Sequence, residues 1–309
     1  MQNTTILVTG ACGFLGLHTA HYLSATGCSV YGIGHGSFSD AELVHVGLEK
    51  WISSDITVES LSRFDLAFDA IIHCAGGSSV AKSISDPAED FRKTVNSTLA
   101  VLEFVRTRSP GALVVYPSSA AVYGEHDNSP IGIADSLLPV SPYGFHKKIA
   151  EELCFSYRNS FGVNSAVIRF FSIYGSGLRR QLIWDACRKL SDNPDGAEFW
   201  GTGDETRDWI HVSDAARLIH ACLVSDSPPH ILNGGSGIKT TIADTLRQLC
   251  VALGIDNAFV RFNGYGKSGD PCYYCADTGE SRAIGWQPVV SLESGLKGYV
   301  EWFRENRHD

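Results

Sequence analysis

Three glycines at three-residue spacing, in Thr9-Gly10-Ala11-Cys12-Gly13-Phe14-Leu15-Gly16, follow directly on the β-branched run Thr5-Ile6-Leu7-Val8 and open a stretch with helical apolar spacing. A glycine at the first place allows a tight turn out of a strand. One at the second lets the backbone approach a bound group closely, and one at the third lets helix and strand pack together. The helix N-terminus that follows carries unpaired amides and the positive end of the helix dipole, a setting suited to a pyrophosphate. Position between the first strand and the first helix is what gives the motif its weight.

The pattern then repeats. Short apolar runs at Val30-Tyr31-Gly32-Ile33, Ala70-Ile71-Ile72-His73, Ala112-Leu113-Val114-Val115-Tyr116 and Ser165-Ala166-Val167-Ile168 are bounded by Gly, Pro, Asp or Ser. Each reads as a buried central strand. Between them Leu15 to Ala25, Asp90 to Arg106 and Tyr143 to Phe161 carry apolar residues at three and four spacing, long enough for crossover helices. This alternation predicts an α/β chain with a Rossmann-type doubly wound parallel sheet over residues 1–175, to which 213–238 is expected to return. After about Gly175 the alternation loosens, so residues 176–212 and 239–309 are expected to form a smaller C-terminal α/β lobe. Ligands should sit in the crevice beyond the carboxyl ends of the strands.

Composition narrows the function. A formal charge of −9 and 25 Lys+Arg against 34 Asp+Glu argue against nucleic acid as a partner. An anionic small ligand then needs local cations. No run is long enough to span a bilayer and no charged-then-apolar leader precedes the first strand, so a cytoplasmic chain with no membrane partner is expected. The nine cysteines are scattered. Cys272 and Cys275 have metal-like spacing but no second pair, and no metal site is expected.

The run Leu113 to Tyr116 leads into Pro117-Ser118-Ser119-Ala120-Ala121-Val122-Tyr123-Gly124, and Ser141-Pro142-Tyr143-Gly144-Phe145-His146-Lys147 follows. Tyr143 and Lys147, four apart on a helix, share one face. An ammonium beside a phenol favours the ionised phenol, and a tyrosine with its free pKa of about 10 needs such help to act as a base near neutrality.

Taken together, these segments resemble the extended short-chain dehydrogenase/reductases, in particular the NAD-dependent nucleotide-sugar epimerase/dehydratase group. Further matching segments are His73-Cys74-Ala75-Gly76, Arg169-Phe170-Phe171-Ser172, Arg207-Asp208-Trp209-Ile210-His211-Val212, and Gly269-Asp270 followed by Ala276-Asp277. The resemblance implies that Tyr143 is the acid/base, that Lys147 binds the nicotinamide ribose and lowers the tyrosine pKa, and that Ser119 hydrogen-bonds the reacting oxygen. For the cofactor it implies Gly10, Gly13, Phe14, Leu15 and Gly16 at the pyrophosphate. His35, Asp55 and Ile56 fall at the adenosine end, and Cys74, Ala75, Gly76, Thr94, Ser118 and Phe171 along the rest of the site. For the substrate it implies Ser79, Ser119, Leu182 and, where the family often has asparagines on the diphosphate, Ser172 and Gln181. Arg207 and Lys267 stand at phosphate-binding positions, Asp270 at the nucleoside ribose and Trp200 at the base. A homodimer through the helices near Asp90–Arg106 and Tyr143–Phe161 is also implied.

Two features bear on cofactor and reaction. The second strand ends Ile33-Gly34-His35-Gly36, with no carboxylate for the adenosine ribose, and His35 and Ser37 could face a 2′-phosphate, so NAD and NADP both stay open. Family dehydratases carry an acidic residue just after the hydroxyl residue, where this chain has Ala120-Ala121. The segment looks instead like the UDP-galactose 4-epimerases. A nucleotide-sugar 4-epimerase working through a transient 4-keto sugar on a UDP-linked substrate is the first expectation. An NADPH-dependent 4-keto-sugar reductase is the alternative, and a non-enzymatic dinucleotide-binding regulator a third reading.

Overall fold

The computed structural model describes residues 4–127, 129–193, 196–255, 260–265 and 272–307. β1 (Thr5–Thr9) leads into α1 (Phe14–Ala25), β2 (Ser29–Gly34), α2 (Asp40–Val46) and β3 (Leu48–Ser53). Next come α3 (Val58–Ser62), β4 (Ala70–His73), α4 (Val80–Ser85), α5 (Pro87–Phe91), a π-helical turn over Arg92–Asn96, and α6 (Ser97–Arg108). β5 (Leu113–Ser119), α7 (Pro142–Phe161) and β6 (Ser165–Phe170) follow. The remainder is β7 (Ser172–Tyr174), α8 (Gln181–Asp192), β8 (Ala197–Phe199), β9 (Thr206–His211), α9 (Val212–Val224), β10 (Ile231–Gly234) and β11 (Lys239–Thr241). It ends with α10 (Ile242–Leu253), β12 (Val260–Phe262), α11 (Gly279–Ala283) and α12 (Leu292–Asn306).

Seven strands pair in the order β3-β2-β1-β4-β5-β6-β10, all parallel. The order reverses between β1 and β4, which opens a crevice at their carboxyl ends. Apolar side chains alternate to both faces of the buried strands. One face packs α1 and α9, with Ile6, Val8 and Val30 against Ala20, Leu23, Leu218 and Ile219. The other packs α6 and α7, with Leu7, Ile33 and Ile71 against Val101, Val105, Ala150 and Cys154. A third core, built by α8, α10 and α12 around Trp209 of β9, faces the crevice from the other side.

Local sequence explains the helix that carries the Tyr-Lys pair. Ser141 caps α7 by accepting the Gly144 amide, Pro142 occupies its first turn, and Gly162 at φ 69° ends it. Its buried face includes Lys147, Ala150, Glu151 and Cys154.

Two strands and one helix irregularity escape the periodicity argument. β3 is an edge strand whose outward residues, Glu49 and Lys50, break the apolar run, and β10 is only four residues long. The stretch expected as one helix from Asp90 is α5 and α6 joined by the π turn, whose wider winding turns Arg92, Lys93 and Asn96 toward the crevice.

Candidate active site

Beyond the carboxyl ends of the strands lies a cleft of about 1720 Å³. That exceeds the roughly 300–1,000 Å³ of a typical single-ligand pocket and suits two ligands side by side. Its floor is the glycine turn. A Cβ at Gly10, where φ is 69°, would lie 2.7 Å from the Ala75 amide nitrogen, and one at Gly16 would lie 2.2 Å from the Gly10 carbonyl oxygen. Neither position admits a side chain. Gly13 is the N-cap of α1, no side chain caps that helix, and its first turn holds no acidic residue. The leading amides of α1 are thus left to an anion, and the cradle fits a dinucleotide pyrophosphate.

At one end of the cleft, His35 Nε2 and Asp55 Oδ1 are 2.6 Å apart and Arg92 Nη1 lies 3.4 Å from the same oxygen. His35, followed by Arg92, holds the Asp55 carboxyl below the usual range. The end of β2 itself carries no carboxylate, and Asp55, just past β3, lies against His35 there. Ser37 is not on the cleft wall, whereas His35, Asp55 and Ile56 are.

The β4 loop forms the next stretch of wall. Cys74, Ala75 and Gly76 line the cleft, while Thr94 is buried behind it, its hydroxyl accepting the Gly77 amide at 2.9 Å. His73 beneath the loop is buried, with Nδ1 2.7 Å from Thr9 Oγ1 and Nε2 3.2 Å from Thr98 Oγ1. Burial pushes its pKa down to about 3, with the Lys147 charge adding to the effect. A His neutral when folded and chargeable when unfolded costs stability as pH falls through its unfolded pKa of about 6.5. Stability should therefore fall by up to ~1.4 kcal/mol per pH unit from about pH 6.5 downward. His73→Gln should flatten that limb in urea unfolding curves, and an unchanged slope contradicts the assignment.

Ser118, Ser119, Tyr143 and Lys147 meet in the middle of the cleft. Ser119 accepts the Ala121 amide at 3.2 Å, which leaves its own proton free to donate. Burial raises the Tyr143 phenol above its ordinary pKa. A hydrogen bond with Ser119 and the charge of Arg180 pull it down, and Asp90 pushes it up. Lys147 Nζ donates to the Pro117 carbonyl at 2.9 Å and sits 6.0 Å from the centre of the Tyr143 ring. The Lys147 ammonium is drawn toward the end of β5. Burial lowers the Lys147 pKa to about 8. Behind them Ser118 donates to Glu151, and Glu151 pairs with Arg169 at 2.7 Å.

Ser79 continues the β4-loop wall, and Phe171, Ser172, Gln181, Leu182, Trp200 and Arg207 also line the cleft. Gln181 opens α8 in the left-handed region at φ 67°. A non-glycine residue there is strained by about 1 kcal/mol, less for Asn, which suits the asparagine frequent at this family position. Lys267 and Asp270 lie outside the described residues. Among the described residues no group of three or more His, Cys, Asp or Glu could hold a metal ion, and no helix is long and apolar enough to cross a membrane. Sequence reasoning missed Arg92 and Arg180, both on the cleft wall; no motif marks either, and only the folded helices turn them inward.

The sequence model of the NAD dependent epimerase/dehydratase family matches residues 6–235. The chain belongs to this family. Among relatives, a putative UDP-glucose 4-epimerase of Methanocaldococcus jannaschii is 26% identical over 97% of this chain and 99% of its own. A UDP-glucose 4-epimerase of Thermotoga maritima, solved with UDP-glucose, superposes with a TM-score of 0.88 at 26% identity, covering 98% of this chain and 100% of that one. A dTDP-glucose 4,6-dehydratase of Streptomyces venezuelae, solved with NAD, gives 0.89 at 28%, covering 99% and 98%. Epimerases and dehydratases of the family are similar to this chain to nearly the same degree, so the reaction turns on residues within the cleft.

Proposed function

We propose that the protein is an NAD-dependent UDP-sugar 4-epimerase. The observation that carries this is the turn after Ser119: where an elimination would need an acid, Ala120 and Ala121 follow, both on the cleft wall. The keto-reductase alternative leans on a β2 end without a carboxylate; against it, Asp55 held beside His35 sets a negative charge at the adenosine end, which disfavours a 2′-phosphate.

In this reading Gly10, Gly13 and Gly16 with the α1 amides hold the pyrophosphate of NAD, Asp55 and His35 its adenosine, and Lys147 its nicotinamide ribose. NAD bound in that cradle would supply the hydride acceptor and donor for the sugar C4. Tyr143 takes the proton of the 4-hydroxyl and later returns it, while Ser119 donates to the same oxygen and steadies the charge that develops there. The 4-keto sugar turns over within the cleft before its C4 is reduced from the other face. Arg207 holds the diphosphate and Trp200, 60% exposed and open to stacking, the base. Residues 1–175 with 213–238 form the cofactor domain, and 176–212 with 239–309 the substrate lobe.

Phe91, Leu99, Phe145 and Ile149 are exposed apolar side chains on α5, α6 and α7, which supports a homodimer through those helices. Nine free cysteines support a reducing compartment, the cytoplasm. The test is to release any dinucleotide from the purified protein with acid and identify it by mass spectrometry, then offer NADPH with a 4-keto-sugar nucleotide. Retained NAD and no NADPH consumption are expected; an empty site with NADPH-dependent reduction overturns the reading.

A further inference from the structure

Two adjacent arginines before α8 diverge. Arg179 lies over Trp184 and Trp302, 6.0 and 5.6 Å from the ring centres. Arg180 turns into the cleft, where its Nη1 donates to Ser78 Oγ at 2.7 Å, reaching across to the β4 loop. Among the described residues it has no ion-pair partner. Its charge acts on Tyr143, which places it at the sugar end of the cleft.

The surroundings make that cation conspicuous. Neutral groups on this part of the wall include the hydroxyls of Ser78, Ser79, Ser119 and Ser172 and the Gln181 amide, while Asp185 and Arg188 of α8 line the same cleft. The neutral groups are enough to hold a neutral hexose. Arg180 is exposed, and a neutral hexose set against it would displace part of its water while offering the guanidinium hydroxyl partners alone. A carboxylate is the better partner, since it matches the planar fork with two parallel charge-assisted hydrogen bonds.

We propose that Arg180 selects a uronate: it pairs with a carboxylate carried on the hexose of the nucleotide sugar, next to the reacting C4 by way of C5. This rests on the 4-epimerase reading for its substrate frame, but it is a statement about binding and can be tested apart from turnover. A diphosphate role for Arg180 would weaken every UDP ligand alike, and an electrostatic role on Tyr143 alone would change rates and no affinity.

The experiment is calorimetric titration of the purified, cofactor-loaded protein with UDP-glucuronate, UDP-glucose and UDP, for the parent chain, Arg180→Gln and Arg180→Lys. UDP-glucuronate should bind the parent about tenfold or more tighter than UDP-glucose, the scale of a charged hydrogen-bonded pair. Arg180→Gln should erase that preference and leave UDP affinity within about twofold, which also shows that the variant is folded, and Arg180→Lys should keep part of it. Equal affinity of the parent for the two sugars, or a loss in Arg180→Gln that falls equally on UDP, overturns the assignment. Interconversion of the same sugars is followed alongside: selective binding without 4-epimer formation rejects the epimerase reading and leaves the uronate site standing.

Discussion

Tyr143→Phe lowers turnover by about three orders of magnitude, the scale of a lost acid/base group, while the purified variant keeps its dinucleotide. The reasoning is local. The substitution removes one oxygen, the one that shares a hydrogen bond with Ser119, and leaves the α7 cap at Ser141 and the Lys147–Pro117 contact in place. Fold and cofactor cradle therefore stay intact and the proton has no carrier. Turnover within tenfold of the parent would remove Tyr143 from the chemistry. A variant that loses its dinucleotide as well would show that the phenol holds the cofactor rather than moving a proton.

Arg169→Met should cost about 3–5 kcal/mol of stability, the range for breaking one side of a buried ion pair. Arg169, 2% exposed, gives Nη2 to Glu151 at 2.7 Å and Nη1 to Tyr123 and to the Ile133 carbonyl. Tyr123 in turn donates to Asn233 of β10, so one guanidinium ties β6, α7, the 131–133 loop and the sheet edge together. Removing it strands the buried Glu151 carboxylate. The double variant Arg169→Met with Glu151→Met should recover most of the loss, because the uncompensated charge is gone and the volume is largely kept. Chemical denaturation of both variants decides this, and a double variant no more stable than the single one contradicts it. Since Glu151 also accepts from Ser118, next to Ser119, the single variant should lose activity together with stability.

What could be read from the sequence was whatever depends on short-range spacing. The glycine turn, the buried strands and the Tyr143-Lys147 face each follow from a period or a motif, and the cleft brings their residues together. β3 was hidden because an edge strand mixes exposed charge into its apolar run. The contact between Asp55 and His35 at the adenosine end was hidden for another reason. Asp55 and His35 are 20 residues apart, and their 2.6 Å contact exists only once β2 and β3 pair. The Lys147 contact with the Pro117 carbonyl was hidden because helical spacing gives the face of a side chain and not its hydrogen-bond partner. Arg180 belongs with these, since nothing in its neighbours indicates which of two consecutive arginines enters the cleft.

The central claim is that hydride leaves C4 and returns to it without exchange. The direct measurement uses a UDP-uronate and a UDP-hexose deuterated at C4, incubated with the protein as purified and no added cofactor, with the sugars followed by NMR. The account predicts the 4-epimer with deuterium retained at C4 and no net oxidation or reduction. Washout of the deuterium, or accumulation of a 4-keto-6-deoxy sugar, would contradict it.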